Sequence, residues 1–510
     1  MISEQDEQGR SHRPMPRGVR RALNAMHANL GQLWALGELA AIAGVSARTL
    51  QRQFQSFVGK SPQAALRDVG FERARRELLQ GGPGLRVTDV ALRCGFAHPG
   101  RFAVGYRRRY GETPSQTLKR QTLFVSRLSG TAPLPARDRP TVAFDGIEAS
   151  ADRSEIAAMI SEDLVVALNR SGLNVTIQAR AARYRLHGAI RGEGSAGRLV
   201  LRLLDQDGIR TLWAQRIEGV LLPEVDGHDQ LATRIVAALQ PNLRHAEIDR
   251  ALAKPDLDLT AHDLALRAMP GVLTLSGDGN ARALELLGKA IDSDPDHGLA
   301  TAMAAWAHAQ RVVYHFSSKP EADRGRGLAL ARKVGTEAAD STVLSVLGNA
   351  LTLLDELGPA EQVVRRALAV DGGAAWAWSR CGWLDVYQGD PQSAIERFRI
   401  ALDLAPQDTL AFNSMVGIGC AYFKAGNYVE AARWQQRALL DHPSAVWVHR
   451  TMCPAYMLAG AKSEAGRSLQ ALRAHYPDLT VSEVQRGMPP LPDSYRHLVF
   501  EALSDAGLPD

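Results

Sequence analysis

Arg48, Gln51, Arg52 and Gln55 share a short segment with two apolar residues four apart, Leu50 and Phe54. At 3.6 residues per turn the four long polar side chains fall on one face of a helix and the apolar pair on the other. An arginine offers guanine a two-pronged hydrogen-bond fork and a glutamine pairs with the edge of adenine, so the polar face is equipped to read bases in a major groove. A second cluster follows beside Phe102 and Tyr106: His98, Arg101 and the run Arg107, Arg108, Arg109. His98 and Arg101 are the candidates near a groove, and the arginine run suits phosphate oxygens. Gly100, Ala103 and Val104 stand where the first segment has Arg48, Gln51 and Arg52. The first segment is therefore expected to supply most sequence specificity, and the second mainly backbone grip.

These faces need elements to hold them out. The segment from Leu36 to Phe54 reads as a short helix, a turn and a second helix, with Ala40 in the first preceding Gly44 by four residues. The small residue allows close helix approach, the glycine allows a left-handed turn, and Ser46 can cap the helix that carries the polar face. Ala91 and Gly95 repeat the arrangement before Phe102, with the turn one residue longer. Val19, Leu23, Met26 and Leu30 give an apolar stripe to an opening helix. Residues 61–80 read as a helix joining the two units, with Gly70 a local weakness.

The segments SARTLQRQF, ERARREL, VALRCGF and YRRRYGETPS occur here in an order and spacing that resemble the DNA-binding domain of the AraC/XylS family of transcription regulators. The resemblance covers residues 18–120. It implies two helix-turn-helix units that insert recognition helices into successive major grooves of promoter DNA. The candidate DNA-binding residues are Arg48, Gln51, Arg52, Gln55, His98, Arg101, Arg107, Arg108 and Arg109.

Charge agrees. Residues 1–120 hold twenty basic and nine acidic side chains, and the remaining 390 hold forty and forty-six, so the excess positive charge of this +5 chain lies in its first quarter. That is the footprint of one nucleic-acid-binding domain joined to neutral or acidic partners. With 510 residues, 45% hydrophobic and 23% charged, the composition is that of a soluble multidomain protein. No uncharged apolar run approaches the ~18 residues of a membrane span, and the polar segment Met1–Arg10 argues against a secretory signal. Four scattered cysteines exclude a disulfide framework or a cysteine zinc site. A reducing, cytoplasmic setting follows, with no membrane partner. No catalytic residue, metal ligand or cofactor is predicted: Gly192–Gly197 joins two strands instead of opening a helix, so it is no phosphate cradle.

Texture divides the rest. Residues 1–17 read as a flexible arm and 121–139 as a linker. Residues 140–255 read as a small α/β domain, with strands over 141–144, 173–178, 184–191, 199–204 and 211–217 and helices over 156–170 and 229–251. The order YRLHGAIR, LVLRLLD, LWAQRI and QLATRIVAAL resembles the TolB N-terminal-like domain, which brings no catalytic motif with it.

Residues 265–478 carry an internal repeat. Trp378, Gly382, Ala394, Phe398, Ala401 and Pro406 fall on signature positions of the tetratricopeptide repeat, with Asp385 replacing the usual tyrosine. Alanines seven apart recur at 283/290, 360/367, 394/401 and 431/438, where helices must cross closely. Five or six units are expected, with a capping helix in 479–510. Trp376, Trp378, Trp383, Tyr387, Tyr422, Trp434 and Trp447 crowd the repeats; most are expected to be packing, with one or two lining a groove.

The expected fold class is multidomain and mainly α: an N-terminal double helix-turn-helix domain, a small TolB-like α/β domain and a C-terminal α-solenoid. The expected function is sequence-specific DNA-binding transcription regulation, with the repeats sensing a signal or holding RNA polymerase or another protein. The rival reading is a tetratricopeptide interaction scaffold whose DNA binding is vestigial. An enzyme is not expected, since no stretch is left to house a catalytic unit.

Overall fold

The structure, a computed structural model, describes residues 16–28, 34–80, 85–96, 98–118, 140–144, 146–176, 182–191, 198–205, 208–218, 227–336 and 339–510. The linker over 121–139, all of the arm but Pro16 and Arg17, and Leu30 lie outside the described residues. The chain forms two compact units, Met1–Ser126 and Arg127–Asp510.

The first unit is helical: α1 (Arg17–Ala28), α2 (Leu36–Ala43), α3 (Ala47–Val58), α4 (Pro62–Gln80), α5 (Val87–Arg93) and α6 (Pro99–Tyr110), then a helical turn over 114–118. It holds two small cores. Val19, Met26, Leu39, Leu50 and Phe54 close the first, and Ala74, Leu78, Val90, Phe102 and Tyr106 close the second. Helix α4 belongs to both, with Ala65 in one and Ala74 in the other. Gly70 in its middle is where α4 meets the α5 turn: a Cβ there would stand 2.8 Å from the Cys94 carbonyl oxygen. The glycine costs helix propensity and permits a backbone approach that no side chain would allow.

In the second unit β1 (Thr141–Ala143), β2 (Ile147–Glu148), α7 (Ser154–Arg170), β3 (Asn174–Thr176), β4 (Tyr184–Arg191), β5 (Arg198–Asp205), β6 (Thr211–Glu218) and α8 (Gly227–Ala253) form the α/β part. The sheet runs β3-β1-β4-β5-β6, with β2 beside β4. The first strands pair in parallel and β4, β5 and β6 are antiparallel. Leu199, Leu201 and Leu203 of β5, at the strand period of two, pack with Ile160, Leu164 and Leu168 of α7 and Ile235, Val236 and Leu239 of α8. Trp213 packs against this core.

Six helix pairs follow: α9 (Ala261–Leu273) with α10 (Gly277–Ser293), α11 (Gly298–Val313) with α12 (Pro320–Ala331), α13 (Ser341–Leu353) with α14 (Leu357–Val370), α15 (Ala375–Gln388) with α16 (Pro391–Leu404), α17 (Ala411–Lys424) with α18 (Tyr428–Asp441), and α19 (His449–Leu458) with α20 (Lys462–His475). The tail folds into two helices, α21 (Val481–Gly487) and α22 (Asp493–Asp505), one more than the sequence suggests. The alanines seven apart are all buried. Phe398 of α16 lies against Gly382 of α15 and Gly417 of α17, whose Cβ atoms would fall 2.8 and 2.1 Å from its ring. Asp385, at the usual tyrosine position, pairs with Arg397 at 3.1 Å.

Two features fix the array. Helix α8 lies along the loops between pairs. Arg244 bonds Asp408 at 2.9 Å and stacks 4.0 Å from the centre of the Trp376 ring, and Gln240 bonds Asp371. At its other end Glu247 takes hydrogen bonds from Arg183 and Tyr184, and Arg250 pairs with Asp263. The superhelix also meets itself. Arg450 donates to the Val313 carbonyl at 2.7 Å, His442 contacts the Thr274 carbonyl at 3.3 Å, and Tyr314 and Trp447 pack with centroids 4.7 Å apart. Trp376, Trp383, Tyr387 and Trp447 are buried, and Trp378, Tyr422 and Trp434 are half-buried.

Candidate nucleic-acid interface

Both helix-turn-helix units show the same turn. The Gly44 N–H donates to Ala41 and the Val45 N–H to Ala40, and Gly95 and Phe96 repeat this onto Leu92 and Ala91. Gly44 and Gly95 have φ of 71° and 84°, the left-handed region that favours glycine. Ala40 and Ala91 are buried where the helices meet. Ser46 caps α3, its hydroxyl accepting from the Thr49 N–H at 3.2 Å. In the second unit Pro99 opens α6 and fixes its first turn. Counted from the glycine, α6 starts one residue later than α3, so the longer turn is present.

Burial sorts the recognition faces. Leu50 and Phe54 are fully buried, and Arg48, Gln51, Arg52 and Gln55 are exposed along the opposite side of α3. The Gln55 side chain also bonds the Gly59 carbonyl at 3.4 Å, so its amide is shared with its own helix end. On α6 Phe102 and Tyr106 are buried, and Gly100, Arg101, Val104, Arg107 and Arg108 face out. His98 is exposed just before the helix.

Arg109 is different. Its guanidinium bonds Asp68 at 2.6 Å and Glu72 at 3.1 Å, tying α6 to α4, and its side chain is 29% exposed. Lys60 joins the same Asp68. Of the arginine run, Arg107 and Arg108 stand exposed and Arg109 is a brace. The signal was in the sequence as acids on α4, but the separation of 41 residues hides such a pair from any local pattern.

Behind these faces Phe71, Phe96, Phe102, Tyr106 and Tyr110 form a chain of rings, and Arg75 lies 4.4 Å over Tyr110. Glu77 is gripped by Arg73 and Arg93, closing the α4–α5 side. Burial, reinforced by Glu77, pushes the Cys94 thiol up to about 12, which leaves it protonated and unreactive. Val104, 72% exposed at the centre of the α6 face, is the feature that sequence reading passed over as a missing hydrogen bonder. Among the described residues no cluster of three or more histidine, cysteine or acidic side chains could hold a metal.

A model described as a helix-turn-helix domain matches residues 39–120. Over 104 residues, 20% of this chain, the sequence is 38% identical to XylDLEGF operon transcriptional activator 3 of Pseudomonas putida and covers 31% of it. Over 251 residues, 45% of this chain, it is 23% identical to a Rhizobium meliloti protein named as an adenylate cyclase and covers 42% of it. A solved AraC family transcriptional regulator from Rhodopseudomonas palustris is 36% identical, with 20% of this chain and 96% of that one covered and a TM-score of 0.20. The chain spans about a third of the length of the curated regulators it matches first. Residues 39–120 are a helix-turn-helix domain of the AraC type.

Proposed function

We propose that this chain is a sequence-specific DNA-binding transcription regulator of the AraC type. The observation that carries the reading is the division of α3 and α6: buried apolar anchors on one side, and exposed Arg48, Gln51, Arg52, Arg101, Arg107 and Arg108 on the other. Cationic side chains dock on phosphates at any sequence, and Arg48, Gln51 and Arg52 then discriminate bases. Hydrogen-bonding readout belongs mainly to α3. Helix α6 with Arg107 and Arg108 supplies backbone grip.

The repeats and the α/β domain carry the regulatory input, through a signal or a protein partner, with RNA polymerase one such partner. Solenoids suit this role because they present extended surfaces. The setting is cytoplasmic, no helix among the described residues is long and apolar enough to cross a membrane, and the chain acts by binding instead of catalysis.

A gel-shift survey of the full-length protein against fragments of its own genome tests the reading. Retention of a few fragments over bulk competitor, lost in Arg52→Ala, is the expected result. Uniform or absent retention by folded protein overturns it and leaves the interaction scaffold.

A further inference from the structure

We propose that the open face of the sheet over β4, β5 and β6 binds the phosphate backbone of duplex DNA, as a contact separate from the helix-turn-helix units.

Strand period and register build this face. Tyr184, Leu186 and Ile190 of β4 and Leu199, Leu201 and Leu203 of β5 pack in the core with α7 and α8, so the alternate residues point the other way. Those include Arg185 and Arg191 on β4, Arg198 and Arg202 on β5, and Arg216 on β6. Arg185 is half-buried and the other four are exposed.

Charge on the face is out of balance. Register sets Arg191 directly opposite Arg198, and like charges across a strand pair destabilise a sheet. Glu148 reaches Arg191 at 3.6 Å and Glu218 pairs with Arg216 at 3.0 Å. Arg185, Arg198 and Arg202 form no ion pair among the described residues, and the Arg185 Nε has no hydrogen-bond partner. Five guanidiniums thus share two carboxylates, within residues 121–510, where acids outnumber bases by forty-six to forty. A face that served folding alone would gain from opposite signs across its strands; a polyanion relieves the repulsion.

The spacing and the uncharged positions select the polyanion. Residues on one face recur about every 7 Å along a strand and about every 5 Å between strands, so several arginine forks can meet the phosphates of one backbone together. Tyr184 and Trp213, the tyrosine and tryptophan of these strands, pack on the helix side. Single-stranded bases therefore find no ring to stack on, and a protein partner finds no aromatic anchor. A duplex backbone asks for charge alone. The contact rests on the DNA-binding reading in one respect: a duplex held by α3 and α6 is at high effective concentration for the rest of the same chain.

The test is salt-dependent binding of the full-length chain to a random-sequence duplex of about 60 base pairs, in a background that disables α3 and α6 (Arg48→Ala, Arg52→Ala, Arg107→Ala and Arg108→Ala). The background chain should keep duplex binding. Adding Arg198→Gln and Arg202→Gln should weaken it about tenfold or more near 50 mM salt and lower the salt slope by about two. Adding Ala214→Arg instead, opposite Arg202 on β6, should raise the slope by about one. All three positions are exposed, so Tm should hold; if the double glutamine variant melts early, Ala214→Arg alone decides. No duplex binding by the background chain, a slope unmoved by these changes, or displacement by polyglutamate as effective as by duplex itself overturns the sheet contact. A natural chain that binds no better than the background, with the slope still lowered by Arg198→Gln and Arg202→Gln, upholds the sheet contact and overturns the helix-turn-helix reading instead.

Discussion

Arg52 on α3 and Val104 on α6 stand at equivalent points of the two recognition helices, each two residues beyond a buried anchor, Leu50 or Phe102. One presents a charged fork; the other presents an isopropyl group that is 72% exposed and flanked by Arg101, Arg107 and Arg108. A large apolar side chain at the middle of a cationic face has one complement in a major groove, the thymine methyl.

The two positions should therefore fail differently. Arg52→Ala is expected to weaken the preferred site by about 1–3 kcal/mol and relax the choice of base there. Replacing thymine by deoxyuridine under the second unit should weaken the natural protein and leave Val104→Ala unaffected. Base-by-base binding on one identified site measures both, and equal sensitivity of the two proteins to deoxyuridine counts against the methyl contact.

Within the arginine run, the structure predicts two phenotypes. Arg107→Ala and Arg108→Ala should weaken all sequences alike and each lower the salt slope by about one. Arg109→Ala should instead loosen α6 from α4. Its partly exposed pairs with Asp68 and Glu72 are worth no more than about 1 kcal/mol, so a small drop in Tm is expected. Salt titrations beside thermal melts separate the two classes.

Phe398 supplies a packing test. Gly417→Ala would put a methyl within 2.1 Å of its ring, and overpacking of this kind costs about 1–3 kcal/mol. Gly382→Ala should cost less, since its closest approach is 2.8 Å. Adding Phe398→Leu should restore part of the loss in urea melts; no recovery would mean the glycines are needed for another reason.

His315 gives the chain a pH dependence. Burial first, then the charges of Arg450 and Arg486, push its imidazole down to about 3. The unfolded chain takes up that proton near 6.5, the ordinary histidine value, and the folded one resists. The contribution is therefore fully present above about pH 6.5 and is lost as pH falls toward 3. His315→Gln should flatten that part of the stability profile. Denaturant midpoints at pH 7, 6 and 5 for both proteins are the measurement, and parallel profiles would refute it.

Much of this architecture was readable because its determinants are local. The spacing of Ala40 to Gly44 and Ala91 to Gly95 sets the turns, Ser46 caps α3, and the period-two leucines of β5 and the paired alanines of the repeats mark buried faces. The outward set on α3 followed from Leu50 and Phe54 alone. What stayed hidden depends on residues far apart in the chain. Arg109 looks like its neighbours until α4 brings Asp68 and Glu72 beside it, and Gly70 looks like a flaw until the Cys94 carbonyl arrives. Which aromatics of the repeats pack was equally hidden: Trp447 meets Tyr314 across 133 residues, and no local pattern pairs them.

That contact has a thermodynamic consequence. An open stack of helix pairs can fray from either end, one rung at a time, because each rung touches only its neighbours. Here Arg450 reaches Val313 and His442 reaches Thr274 across 137 and 168 residues, so early and late rungs are clasped together. Losing any one rung then loosens the clasp for all, and the array is expected to melt as a single block instead of peeling.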